Sequence, residues 1–187
     1  PDLSAEKRSQ SGTIEYAGGG QYVVTAALKK DKTAKGAIPV HPWIVNANTG
    51  ESHQLDIDIW GVSSIEGFRT GRFVVSCWKQ EDINAGSSVR LFDITGKLLW
   101  MTDTNPASVH RIFSPQDVTF NSDGDVAALY HFPNSVIVYD AKGAVKKTVL
   151  LDDAWKRKAN YVSSVFGLKN GGIAVDDFGA AKPLVMM

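Results

Sequence analysis

What constrains this chain most is that it repeats itself. The segment Val62–Val75 (VSSIEGFRTGRFVV) returns as Val162–Val175 (VSSVFGLKNGGIAV), apolar position for apolar position, with a glycine turn in the same place. Two weaker copies fall in register with it: Thr13–Tyr16 leads through Gly20 to Tyr22–Thr25, and Asp117–Phe120 leads through Gly124 to Val126–Leu129. The glycines Gly20, Gly71, Gly124 and Gly171 thus mark four units. Their spacing of about 50 residues is that of a repeat architecture in which no unit buries its apolar faces alone.

Downstream strands repeat as well. Trp43–Asn46 ends at the turn Asn48–Thr49–Gly50, Val89–Phe92 at Asp93–Ile94–Thr95–Gly96, and Val136–Tyr139 at Asp140–Ala141–Lys142–Gly143. A fourth strand is expected over Gln54–Ile57, Leu98–Thr102 and Val145–Leu151. Each full unit reads as a meander of four short antiparallel strands, period-two or continuously apolar, with glycine where a tight hairpin needs positive φ. Such sheets stack radially in a β-propeller, so the expected fold is all-β, a β-propeller of four-stranded antiparallel blades with about four units visible and the last incomplete. The units run over about 11–59, 60–115, 116–159 and 160–187. A two-sheet sandwich is the alternative, since short strands with frequent turns occur in both folds. Between the third and fourth units, Asp152–Lys158 reads as one or two helical turns, with an aspartate capping its start and basic residues near its end.

The fourth unit has its hairpin, then only Pro183–Met187 where a third strand belongs. Pro1–Gln10 lacks the alternating apolar residues of a strand that closes the last blade, and the chain begins at Pro1, which is expected to follow a removed leader or larger portion. The expectation is therefore either a fragment of a propeller with more blades, or a chain whose open blade edge at Leu184–Met187 is covered by a protein partner or a second copy.

The turn from Leu91 to Trp100, with Asp93, Thr95–Gly96 and a closing Trp100, resembles the repeat of quinoprotein-like propellers (the PQQ-type repeat). The first unit keeps Thr49–Gly50 but has Ala47 at the aspartate position, and the third keeps Asp140 and Gly143 with Lys147 in place of the tryptophan. The blades resemble NHL-type and WD40-like repeats about equally. That family resemblance implies a propeller with Trp100 packed between blades. It implies no particular activity, because fold does not carry function.

Length and composition fit one domain: 187 residues, 43% hydrophobic, with 20 basic residues balancing 20 acidic ones. Zero net charge offers nothing to nucleic acid, and no run of apolar residues is long enough to insert in a membrane. One cysteine, Cys77, excludes an internal disulfide and multi-cysteine metal sites. The histidines His41, His53, His110 and His131 have no HxH or HExxH companion, and GxSxG, P-loop and GxGxxG patterns are absent. The acid pairs Asp56/Asp58, Asp152–Asp153 and Asp176–Asp177 read as solvated surface rather than calcium ligands. The sequence therefore calls for no catalytic residue, metal or cofactor.

In a propeller, ligands gather where the loops between second and third strands join the connections between blades. These loops are long over Lys29–His41 and Lys79–Ser88 and short at Phe132–Asn134. Partner-binding candidates on that rim are Trp78, His131 and Asp176, at the ends of second strands, with His110 and Arg111 before the third unit. Aromatic, histidine and arginine side chains together have the composition of an interface anchor. The functional expectation is a non-enzymatic interaction platform or structural component of a larger assembly. The alternatives are a fragment of a propeller oxidoreductase or hydrolase, or a carbohydrate-binding propeller using Trp43, Trp60, Trp78, Trp100 and Trp155. The processed start and the quinoprotein-like turn lean towards an exported or particle-bound protein.

Overall fold

The structure, a computed structural model, describes residues 8–28, 39–78, 87–102, 115–131, 133–156, 162–177 and 183–186. Four antiparallel meanders follow one another along the chain, and each is a sheet of its own. The first holds β1 (Arg8–Gly18), β2 (Gln21–Leu28), β3 (Trp43–Asn46) and β4 (Ser52–Gln54). The second holds β5 (Trp60–Phe68), β6 (Arg72–Trp78), β7 (Ser87–Asp93) and β8 (Leu98–Met101). The third holds β9 (Pro115–Phe120), β10 (Val126–His131), β11 (Asn134–Tyr139) and β12 (Val145–Leu150). The fourth holds β13 (Val162–Gly167), β14 (Ile173–Asp177) and β15 (Leu184–Met186), with the helix α1 (Leu151–Trp155) before it.

The hairpin glycines adopt the backbone that the repeat demands of them, with φ of 77°, 76°, 84° and 84° at Gly20, Gly71, Gly124 and Gly171. Counting from these glycines shows how the sheets stack. Ile65, Val118 and Val165, six places before the glycine, lie with Phe73, Val126 and Ile173, two places after it, on the face turned to the preceding blade. Val23, Val74 and Ala127, three places after it, lie on the face turned to the following blade. Each blade thus lays its front on the rear of the one before, and three apolar seams result among the described residues. Alternation along a pleated strand makes this possible, since successive side chains serve two different seams.

The innermost strands β1, β5, β9 and β13 approach until backbone meets backbone. A methyl group at Gly67 would overlap the carbonyl of Tyr16, and one at Gly167 would overlap the carbonyl of Phe120. Asp117 ties three blades together: one carboxylate oxygen accepts from the Ser64 hydroxyl at 2.6 Å and from its neighbour's Val118 N–H, and the other accepts from the Val165 N–H at 3.0 Å. Trp100 packs between blades as its repeat implied, its ring 5.6 Å from that of Tyr139 and against the Gly143 turn.

The structure departs from the sequence reading in three places. The turn of the first blade takes its side-chain oxygen from Asn46 and not from the position of Ala47. Asn46 Oδ1 accepts from the N–H groups of Asn48 and Thr49, as Asp93 and Asp140 do for theirs, so this turn is one residue longer. The fourth strand of that blade is consequently Ser52–Gln54 and not Gln54–Ile57, because Leu55 leaves the ladder to be buried in the seam with the second blade. The helix begins at Leu151, which is buried in the seam between the third and fourth blades, so Asp152 and Asp153 occupy its first turn and do not cap it. It ends at Lys156, in the left-handed conformation.

Candidate functional site

The four innermost strands line an open cavity of about 570 Å³. Repeat positions line it in tiers. Five places before the turn glycine stand Glu15, Glu66, Thr119 and Phe166, and seven places before it Thr13, Ser64 and Asp117. Three carboxyl groups and four hydroxyl-bearing side chains, counting Ser63, therefore face one space. Asp117 is committed to the hydrogen bonds that join the blades. Glu66 is different: burial pushes its carboxyl up from 4.5 to about 7, against hydrogen bonds from the Thr119 hydroxyl and the Phe120 N–H, with the charges of Glu15 and Asp117 adding to the rise. Burial also raises the Glu15 carboxyl. A carboxyl poised near neutrality exchanges a proton in the physiological range, which marks the cavity wall as responsive to pH. Among the described residues no group of three or more His, Cys, Asp or Glu side chains is arranged to hold a metal ion.

The acids of the cavity escaped the sequence reading because each looks like an ordinary polar residue on a half-exposed strand. The signal was nevertheless present. Glu15 and Glu66 stand at one offset from their turn glycines, and in a radial stack equal offsets converge on the axis.

The rim candidates fall at the other end of the strands from the hairpin glycines. Trp78 closes β6, half-buried, with its ring over Gly61 and its carbonyl accepting from the Arg90 guanidinium at 3.1 Å. His131 closes β10, and its Nε2 lies 2.9 Å from the Val162 carbonyl, which joins the third blade to the start of the fourth. Asp176 stands near the end of β14, opposite Ser164, and is half-buried. His110 and Arg111 lie outside the described residues, as do residues 29–38 and 79–86 of the long loops. Trp78 and His131 therefore each have a packing or bonding role inside the protein besides any role at the rim.

Four antiparallel sheets stacked front to rear about one cavity define a β-propeller architecture, and this chain is an all-β repeat protein of that class. Comparison of the structure with solved ones agrees. The WD40 β-propeller domain of Doa1 superposes with a TM-score of 0.53 at 16% identity, over 89% of this chain and 47% of that one. A protein of unknown function from Bacteroides caccae superposes with a TM-score of 0.45 at 16% identity, over 94% and 53%. The chain thus spans about half the length of these structures. No protein-family model and no curated protein matches the sequence. Among the described residues no helix is long and apolar enough to cross a membrane.

Proposed function

We propose that this chain is a non-enzymatic interaction platform, a structural component of a larger assembly whose protein partner docks on the rim that carries Trp78, His131 and Asp176. The observation that supports the reading is the way the second strands end. β6 and β10 are buried on both sides by neighbouring blades and β14 on its front by the third blade, so their last residues are held by packed seams, while the loops that follow them differ in length along the sequence. Binding residues carried on such a frame lose little freedom on association. His110 and Arg111 belong to the same proposed surface.

Photo-crosslinking tests this reading. A photoreactive amino acid is placed at Trp78 or Asp176, and as controls at Thr95 or Lys142 in the turns at the opposite end of the blades. The expected result is one protein adduct in extracts of the source cells from the first pair only, lost from the probe at Trp78 when Asp176→Ala is added and from the probe at Asp176 when Trp78→Ala is added. Adducts formed equally from both ends would refute it.

A further inference from the structure

The same repeat position has very different surroundings in different blades. Six places before the turn glycine, Ile65, Val118 and Val165 are 5%, 2% and 3% exposed, whereas Ile14 is 66% exposed. In the third strand, Ile44, Leu91 and Val138 are 1%, 0% and 8% exposed, whereas Val185 at the matching place in β15 is 54% exposed. Phe166, on the innermost strand of the last blade, is 52% exposed. Among the described residues, the first blade's front and the last blade's rear are therefore seam faces without a seam. Behind Ile14, the same face carries Tyr16, Tyr22, Val24, Trp43 and Val45, aligned across β1, β2 and β3 by the strand register.

We propose that these two faces bind each other between two copies of this chain, rear of one on front of the other, so that two arcs close one ring. Three considerations select a second copy as the occupant. A rear face of this geometry receives a blade front in every internal seam, and the first blade offers the one unused front among the described blades. Rear-to-front contact repeated twice closes on itself with two-fold symmetry, which satisfies both faces at once. The chain also spans 47% of the Doa1 propeller it superposes on, so two copies supply about the length of one such ring. Zero net charge leaves the association unopposed at long range. The inference does not depend on the rim reading, because it concerns the faces of the end blades and not the ends of strands.

The test is sedimentation of the purified chain, with two variants that put a charge on one face each: Ile14→Lys on the front and Phe166→Glu on the rear. Both side chains are exposed in the single copy, so the fold tolerates the change, and circular dichroism of each variant checks this. The expected result is a particle of twice 20.3 kDa for the unaltered chain at micromolar concentration. Each variant alone should dimerise at least about a hundredfold more weakly, since an unpaired charge is then buried in an apolar seam. Mixing the two variants should restore the dimer, because one seam is then unaltered and the other pairs lysine with glutamate. A monomer from the unaltered chain overturns the proposal. So does a dimer weakened by only one of the two variants, which would mean front on front or rear on rear, and so does an open-ended series of oligomers.

Discussion

Replacing Glu66 by glutamine should change how stability varies with pH. In the wild-type protein the Glu66 carboxyl is held near 7 by burial between β5 and β9, facing Glu15 from β1 and Asp117 from β9. Below pH 4.5 the folded and unfolded chains both keep the proton, and burial of this group costs nothing extra. Between 4.5 and about 7 the unfolded chain releases a proton that the folded chain retains, so stability falls as pH rises. Above about 7 both forms are ionised and the penalty stays constant. At 1.36 kcal/mol per pH unit, that interval sets the full penalty at about 3 kcal/mol. Glu66→Gln keeps the shape and a hydrogen-bonding oxygen while removing the ionisation, so it should gain on the wild type across this window and exceed it by about 2–3 kcal/mol in mildly alkaline buffer. Urea unfolding of both proteins at a series of pH values reads the difference directly. A constant offset between the two curves from acid to alkaline pH would refute the account of a strained carboxyl in the cavity wall.

Other expectations follow from the seams. Gly167→Ala should cost about 3 kcal/mol or more, read by denaturant unfolding, because its methyl would overlap the Phe120 carbonyl and part β13 from β9. Gly124→Val should cost about 1–2 kcal/mol for its left-handed backbone, in addition to displacing Arg72. Trp100→Ala should lower the melting temperature more than Trp78→Ala, since Trp100 joins two blades at Tyr139 and Gly143 while Trp78 covers Gly61 of its own blade; equal losses would contradict this division. Cys77, fully buried and with its thiol pushed up by burial, should react with a thiol reagent at the rate of unfolding and not before, and fast labelling of the native protein would refute that.

The repeats were legible in the sequence because a hairpin turn with positive φ admits few residues besides glycine, so Gly20, Gly71, Gly124 and Gly171 stood out and fixed the strands on either side. Boundaries farther from those glycines were less legible. Asn46 takes over the turn from the position of Ala47, and nothing local to Leu55 announces that it will be drawn out of the ladder into a seam. Leu151 starts the helix for the same reason, burial in a seam made by residues distant in sequence. The cavity acids were hidden in another way: Glu15 and Glu66 lie 51 positions apart, and only the radial arrangement turns two unremarkable glutamates into neighbours.

Because every backbone ladder lies within one blade and neighbours are joined by side chains and a few hydrogen bonds such as those of Asp117, the molecule behaves as a short one-dimensional array with nearest-neighbour coupling. Within a single copy, and among the described residues, the middle two blades are each clamped on both sides and the outer two on one side only. In the dissociated single copy, local opening should therefore be graded along the array: amide exchange slowest in β6, β7, β10 and β11, fastest in the outer blades, with heat or denaturant peeling the structure inward from its two ends.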